Sequence, residues 1–148
     1  MSDSTTRRTL TALGTTVMNK IARVRAKVRR RVWTLLELRP GGFPWLAIAG
    51  KRLHRWIVIG MDATIITAAS RKEGATGTFK KSFGHPPLAA WCVNTGECLA
   101  MLLRPGNAGS STASGRIRVL SDALAQTPGQ SSAKLLVRVD GAGPPTSC

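Results

Sequence analysis

The sequence predicts a mixed α/β fold in which one long basic amphipathic helix precedes a sheet built in the order β-β-β-α-β. Three observations carry this. Apolar residues recur at three- and four-residue steps across residues 15–38, the period of a helix face. The stretch 55–70 is β-branched and apolar on both faces, as expected of a strand inside a covered sheet. A helical spacing at 117–124 then precedes a last apolar run at 134–140, so that the final strand can return parallel to an earlier one.

The helix comes first. Val17, Ile21, Val24, Val28, Val32 and Leu35 form the apolar stripe, and Lys20, Arg23, Arg25, Lys27, Arg29, Arg30 and Arg31 make the rest of the surface strongly basic. Arg39-Pro40-Gly41-Gly42 ends it, because Pro and Gly both break helices. In RWIVIGMDATIITAAS, residues 55–70, Trp56, Val58 and Gly60 alternate with Ile57, Ile59 and Met61. Arg71-Lys72-Glu73-Gly74 reads as a turn. A second strand signal spans Thr76–Ser82 and Leu88–Val93, interrupted at His85-Pro86-Pro87, and a third runs from Glu97 to Leu103. After the loop Gly109–Thr112, Ile117, Leu120, Ala123 and Leu124 follow helical spacing, and Thr127-Pro128-Gly129 stops that helix. KLLVRVD, residues 134–140, is the fourth strand. The expected organisation is a basic helical segment over 1–40, a partial core over 41–143 and a short tail over 144–148.

Composition narrows the function. Hydrophobic content is 43%, which fits a globular protein better than a disordered one. Lys and Arg number 22 against 7 Asp and Glu, a net charge of +15. Such a chain attracts polyanions, nucleic acid ahead of acidic membrane surfaces. No apolar run approaches the roughly 18 residues of a membrane span. The polar N-terminus lacks a signal-peptide pattern, so a cytoplasmic location is expected. Cys92, Cys98 and Cys148 suit a reducing compartment and lack zinc-ligand spacing.

Two acids stand out by context. Asp62 lies in the most apolar strand and Asp140 at the end of another. A lone buried carboxylate is costly unless paired, hydrogen-bonded or bound to a cation. If the fourth strand lies beside the first, about 5 Å away, both carboxylates come within reach of one hard cation such as Mg2+. An Asp at a strand end also serves as an ordinary turn cap. That reading weighs more on Asp140 than on Asp62.

RWIVIGMDATIITAAS, FKKSFGHPPLAAWCVNTGECLAMLLRPGNAGS, IRVLSDALAQ and KLLVRVDGAG occur in this order. Together they resemble the DDE transposases of bacterial insertion sequences, specifically the "thirteen-eighty" group. The resemblance covers about residues 1–143. It implies a partial ribonuclease-H-like fold, with Asp62 (in MDATIIT) and Asp140 (in VDGAG) as catalytic, metal-binding acids. It also implies Mg2+ as cofactor, DNA as partner, and strand cleavage and transfer as the reaction. Intact transposase is a further implied partner; a small-molecule substrate and a membrane span are not implied, and the expected location is the bacterial nucleoid. The family's third acid is a downstream Glu. No acid follows Asp140, and the tail Pro144-Pro145-Thr146-Ser147-Cys148 departs from the family pattern. The expectation is therefore a core cut short and catalytically incomplete, with a non-catalytic basic DNA-binding or interaction module as the alternative. Glu73, Glu97 and Asp122 read as solvated acids.

The DNA-contact candidates are Lys20, Arg23, Arg25, Lys27, Arg29, Arg30 and Arg31 on the helix, with Arg71, Lys72, Lys80 and Lys81 after the first strand. Trp33, Trp45, Trp56 and Trp91 read as packing residues rather than base-stacking platforms, since no Tyr and only three Phe accompany them.

Overall fold

The structure, a computed structural model, describes residues 5–6, 8–9, 12–68, 75–77, 82–105, 107, 113–128 and 132–139. The chain is mixed α/β. It divides into two compact units: Met1–Phe43 with Gln126–Pro128, and Pro44–Ala125 with Gly129–Cys148.

The first unit is built on α1, Thr15–Leu38, a 24-residue helix with the expected bounds. Extended Gly14 stands at its N-terminus, and the Gly14 carbonyl accepts from Val17 N and Met18 N at 3.0 and 3.1 Å. The helix stops where Arg39 precedes Pro40, because a residue before proline is pushed out of the helical region. Gly41 and Gly42 then take φ of 89° and 68°, a left-handed path that glycine follows without a steric penalty.

The period of α1 is as predicted, but the valine stripe is not its buried face. Val17, Ile21, Val24, Val28, Val32 and Leu35 are all exposed. The inner row is Ala22, Ala26, Arg29, Trp33 and Leu36, of which Arg29 and Trp33 are buried and the others half-buried. At 3.6 residues per turn these five fall on one face. Trp33 supplies its bulk and meets Phe43 edge-on, with ring centroids 5.1 Å apart. Buried Arg29 has polar partners. Its Nη1 donates to Gln126 Oε1 at 2.6 Å, and Gln126 Nε2 donates to the Ala22 carbonyl at 3.0 Å.

The second unit opens with a hairpin, β1 (Ala47–Ile48) and β2 (Lys51–Arg52). Its central residues Ala49 and Gly50 both have positive φ, the turn that suits a two-residue hairpin. The main sheet follows: β3 (Trp56–Ala63), β7 (Leu88–Cys92), β8 (Glu97–Leu102) and β9 (Lys134–Val139), in spatial order β8-β7-β3-β9. β3 is antiparallel to β7 and parallel to β9. The connection from β8 to β9 contains α2, Ala113–Gln126. In chain order the main sheet and its crossover helix therefore give the expected β-β-β-α-β, with the doubly apolar segment in an interior position. Buried apolar side chains of this unit include Ile57, Ile59 and Met61 on β3, Ala90 and Cys92 on β7, and Val119 and Ala123 on α2. β9 lies at the sheet edge, and every one of its residues is exposed.

The described residues between 64 and 87 depart from the prediction. The strand signal that ran on to Ser70 breaks after Ala63. Ile66–Thr67 (β4), Thr76–Gly77 (β5) and Phe83–His85 (β6) form a separate three-stranded sheet in the order β4-β6-β5. Pro86-Pro87 separates β6 from β7, since two successive prolines offer no ladder donors. The predicted second strand therefore contributes to two different sheets.

Gly84 is where the small sheet has least room. A Cβ there would collide with the Ile66 carbonyl oxygen and come within 3.1 Å of Thr67 Cα. Both obstacles are backbone and cannot rotate aside. Gly84→Ala is expected to release the β4–β6 pairing, including the 2.9 Å bond from Ala68 N to the Phe83 carbonyl. Hydrogen exchange is the readout: Ala68 N–H should lose protection while Ile59 N–H keeps it. Retained protection at Ala68 would show that the backbone yields without strand separation.

Candidate active site

The site is laid out by the alternation of β3. Ile57, Ile59 and Met61 face one side and are 0–2% exposed. Val58, Gly60 and Asp62 point to the other, as successive strand residues must. Asp62 is exposed. The expectation of a carboxylate buried within the apolar strand is thereby corrected. Met61 is the last buried residue of β3, the cross-strand neighbour of Asp62 is small Ala89, and the chain leaves the sheet after Ala63. Asp62 Oδ1 accepts from Ala63 N at 2.7 Å. This bond holds the carboxylate at the strand end without desolvating it, and leaves it open to a cation from solvent.

Asp62 stands at a cleft of about 350 Å³ that is also lined by Gly60, Met61, Trp91, Gly96 and Arg138. The sheet register explains the grouping. Gly60 pairs with Trp91 on one side and with Arg138 on the other, so three strands contribute one transverse row. The Val93–Gly96 turn closes β7 to β8, with Gly96 at φ 70° and its N–H on the Cys92 carbonyl at 2.8 Å. Sequence reasoning singled out neither Trp91 nor Arg138 for this site. The one available signal was a lone Arg among the apolar residues of KLLVRV.

Asp140, Arg71, Lys72, Lys80 and Lys81 lie outside the described residues. Val139, the residue before Asp140, pairs with Met61. Among the described residues no group of three or more His, Cys, Asp or Glu is arranged to hold a metal. Asp122 on α2 is exposed and Glu97 at the start of β8 is half-buried. His54 packs its ring against Trp45, with centroids 5.3 Å apart.

The basic helix divides more finely than its sequence suggested. Lys20, Arg23, Lys27, Arg30 and Arg31 are exposed and fall on one flank of the valine stripe at helical spacing. Arg25 is exposed on the opposite flank. Arg29 is corrected from the DNA-contact set, because its guanidinium is buried against Gln126 rather than presented to solvent. No helix among the described residues is long and apolar enough to cross a membrane.

Comparisons with curated proteins and with solved structures returned no match. A family profile described as "Transposase DDE domain group 1" matches residues 2–146, nearly the full length of the chain. On that match the chain belongs to the DDE-domain transposase family.

Proposed function

We propose that the chain supplies the first two acids, Asp62 and Asp140, of a DDE centre for Mg2+-dependent DNA cleavage and strand transfer in insertion-sequence mobility, within a ribonuclease-H-like core. One observation carries the reading. The central strand of the sheet delivers an exposed carboxylate to the edge of a cleft, beside the strand that leads directly to Asp140. Val139 is in register with Met61, and Asp140 is the next residue of the chain; this supports pairing it with Asp62.

The residues fit a hard cation. Asp62 presents an exposed oxygen donor whose orientation is fixed by Ala63 N, and Mg2+ takes one or two carboxylates while keeping several waters. Mg2+ held by Asp62 and Asp140 would activate a water and stabilise the leaving oxygen of a phosphodiester. The chain's own contributions are placement and charge. β3 fixes Asp62, and Arg138 adds a guanidinium on the same cleft. Among the described residues no second or third acid joins Asp62 at the cleft, so these 148 residues alone are proposed to bind DNA without cutting it, as a non-catalytic partner of intact transposase would. The proposed layout is a DNA-contacting helical segment over residues 1–40 and the partial core over 41–143.

The exposed basic flank of α1 is proposed as the phosphate-contacting surface. Each neutralised phosphate steepens the salt dependence of binding by about 0.9 in the logarithmic slope. Replacing Lys20, Arg23, Lys27, Arg30 and Arg31 together by Gln should therefore reduce the slope by about 4.5. Arg29→Gln should leave the slope unchanged and lower thermal stability instead. Electrophoretic mobility shift across a salt series measures both slopes, and a thermal melt measures the stability of Arg29→Gln. An unchanged slope in the fivefold variant refutes this surface, and DNA cleavage by the 148 residues with Mg2+ refutes the proposal of binding without cleavage.

A further inference from the structure

We propose that the cleft beside Asp62 is a nucleobase site, in which Trp91 and Arg138 sandwich one unpaired base of the DNA strand over a floor made by Gly60. The proposal rests on the DNA-processing function above and adds the class of ligand group that the site holds.

The row Trp91–Gly60–Arg138 is set by backbone pairing on both sides of β3. Trp91 and Arg138 are thus two strand spacings apart, roughly 10 Å. Side chains stand nearly perpendicular to a sheet, so they form two walls. A planar base between them needs two van der Waals contacts of about 3.5–4 Å each, which this gap accommodates. The residue between the walls has no side chain. A Cβ at Gly60 would also approach Val93 Cγ2 at 3.2 Å.

The walls are chemically suited to a base. Trp91 is half-buried, so its ring is anchored yet partly open. Arg138 is exposed, and a guanidinium plane stacks on aromatic faces while its N–H groups reach oxygen acceptors. A paired base is already stacked and cannot enter, so the site selects an unpaired, frayed or extruded one. Asp62, two residues beyond Gly60 on the same strand face, places the carboxylate next to the sugar-phosphate of the held nucleotide. Trp91 therefore changes from the packing residue that its sequence context suggested to a positioning residue.

The test uses the 148-residue chain and two labelled hairpin DNAs, each closed by a non-nucleotide linker in place of a loop, one fully paired and one with a single-nucleotide bulge. The expected result is tighter binding of the bulged hairpin, by about tenfold, the scale of one base–aromatic stack. Trp91→Ala should erase that preference and leave binding of the paired hairpin unchanged, and Trp91→Phe should restore most of it. Arg138→Gln should reduce it severalfold. Because Arg138 is exposed, that variant decides the matter if Trp91→Ala fails to fold. Preference unaltered by Arg138→Gln and by a folded Trp91→Ala overturns the site while leaving the DNA-binding function standing. A chain that binds neither hairpin at low salt overturns that function instead. The cleft is then decided by titration with deoxyadenosine monophosphate: binding that Arg138→Gln weakens supports it, and no binding overturns it.

Discussion

Replacing Asp62 by Asn is expected to abolish divalent-cation binding at the end of β3 while leaving the fold intact. The amide oxygen of Asn can still accept from Ala63 N, the bond that now orients Asp62 at 2.7 Å. The charge and the second oxygen are lost. A hard cation depends on that charge, because neutral oxygen ligands hold it far more weakly than carboxylates. Mn2+ is a suitable paramagnetic stand-in for Mg2+. In the unaltered chain it should broaden the amide resonances of Asp62, Ala63 and the cross-strand neighbour Ala89. In Asp62→Asn the broadening should require at least about tenfold more Mn2+. Asp122→Asn is the control, since Asp122 is an exposed acid on α2 with no place in the proposed centre. Equal sensitivity of the two variants would mean that Mn2+ senses only scattered surface carboxylates, and Asp62 would lose its proposed role.

The exposure of Asp62 matters to how that experiment is read. A buried acid would have needed its cation for stability, and removing the charge would then have changed folding and binding together. At the open end of the strand the two effects separate. The residue's chemistry is decided by what the cleft brings near it, and not by a desolvation penalty.

How far the sequence foretold this arrangement depends on whether the deciding force is local. The bounds of α1 were legible because its apolar period is continuous across residues 15–38 and adjacent residues, Arg39-Pro40 with two glycines, set its finish. Its orientation was not. Periodicity shows that two faces differ, but the buried row of α1 holds an Arg and a Trp between small alanines, and its polar partner Gln126 is remote in the chain. The interior place of β3 was legible, because a segment apolar on both faces needs cover on both. Its early end at Ala63 was not, since Ile65, Ile66 and Thr67 continue the same β-branched signal. What turns them into another sheet is pairing with Phe83–His85 and the close approach to Gly84. The cleft shows the same limit. Gly60, Trp91 and Arg138 have no local pattern in common, and only strand register brings them into one row.

Asn94 is the position where a single side chain should cost the second unit most. It is 8% exposed and sits in the turn between β7 and β8. Its Oδ1 accepts from Val58 N at 2.8 Å, and its Nδ2 donates to the carbonyls of Trp56 and Pro44 at 3.1 and 3.3 Å. The β3–β7 pairing begins only at Ile59 opposite Cys92. Asn94 therefore extends the ladder toward the start of β3, satisfying backbone groups that no strand reaches. Asn94→Leu would remove all three bonds and fill the space with apolar atoms. Each backbone group left buried and unsatisfied costs about 1–3 kcal/mol, so a loss of about 3–5 kcal/mol is expected, against total stabilities of about 5–15 kcal/mol for ordinary domains. Asn94→Asp is the sharper comparison, because it preserves shape and the acceptor for Val58 N and changes only the donor. An ionised carboxylate would then face two carbonyl oxygens in a buried turn, an arrangement without compensation. Urea denaturation should show Asn94→Asp at least as destabilised as Asn94→Leu. If Asn94→Asp instead costs less than about 0.5 kcal/mol, the level of an ordinary surface change, then the two Nδ2 bonds contribute nothing. The start of β3 would then be held by the bond from Val58 N to Asn94 Oδ1, the 2.8 Å bond from Val93 N to the Val58 carbonyl and the pairing with β9.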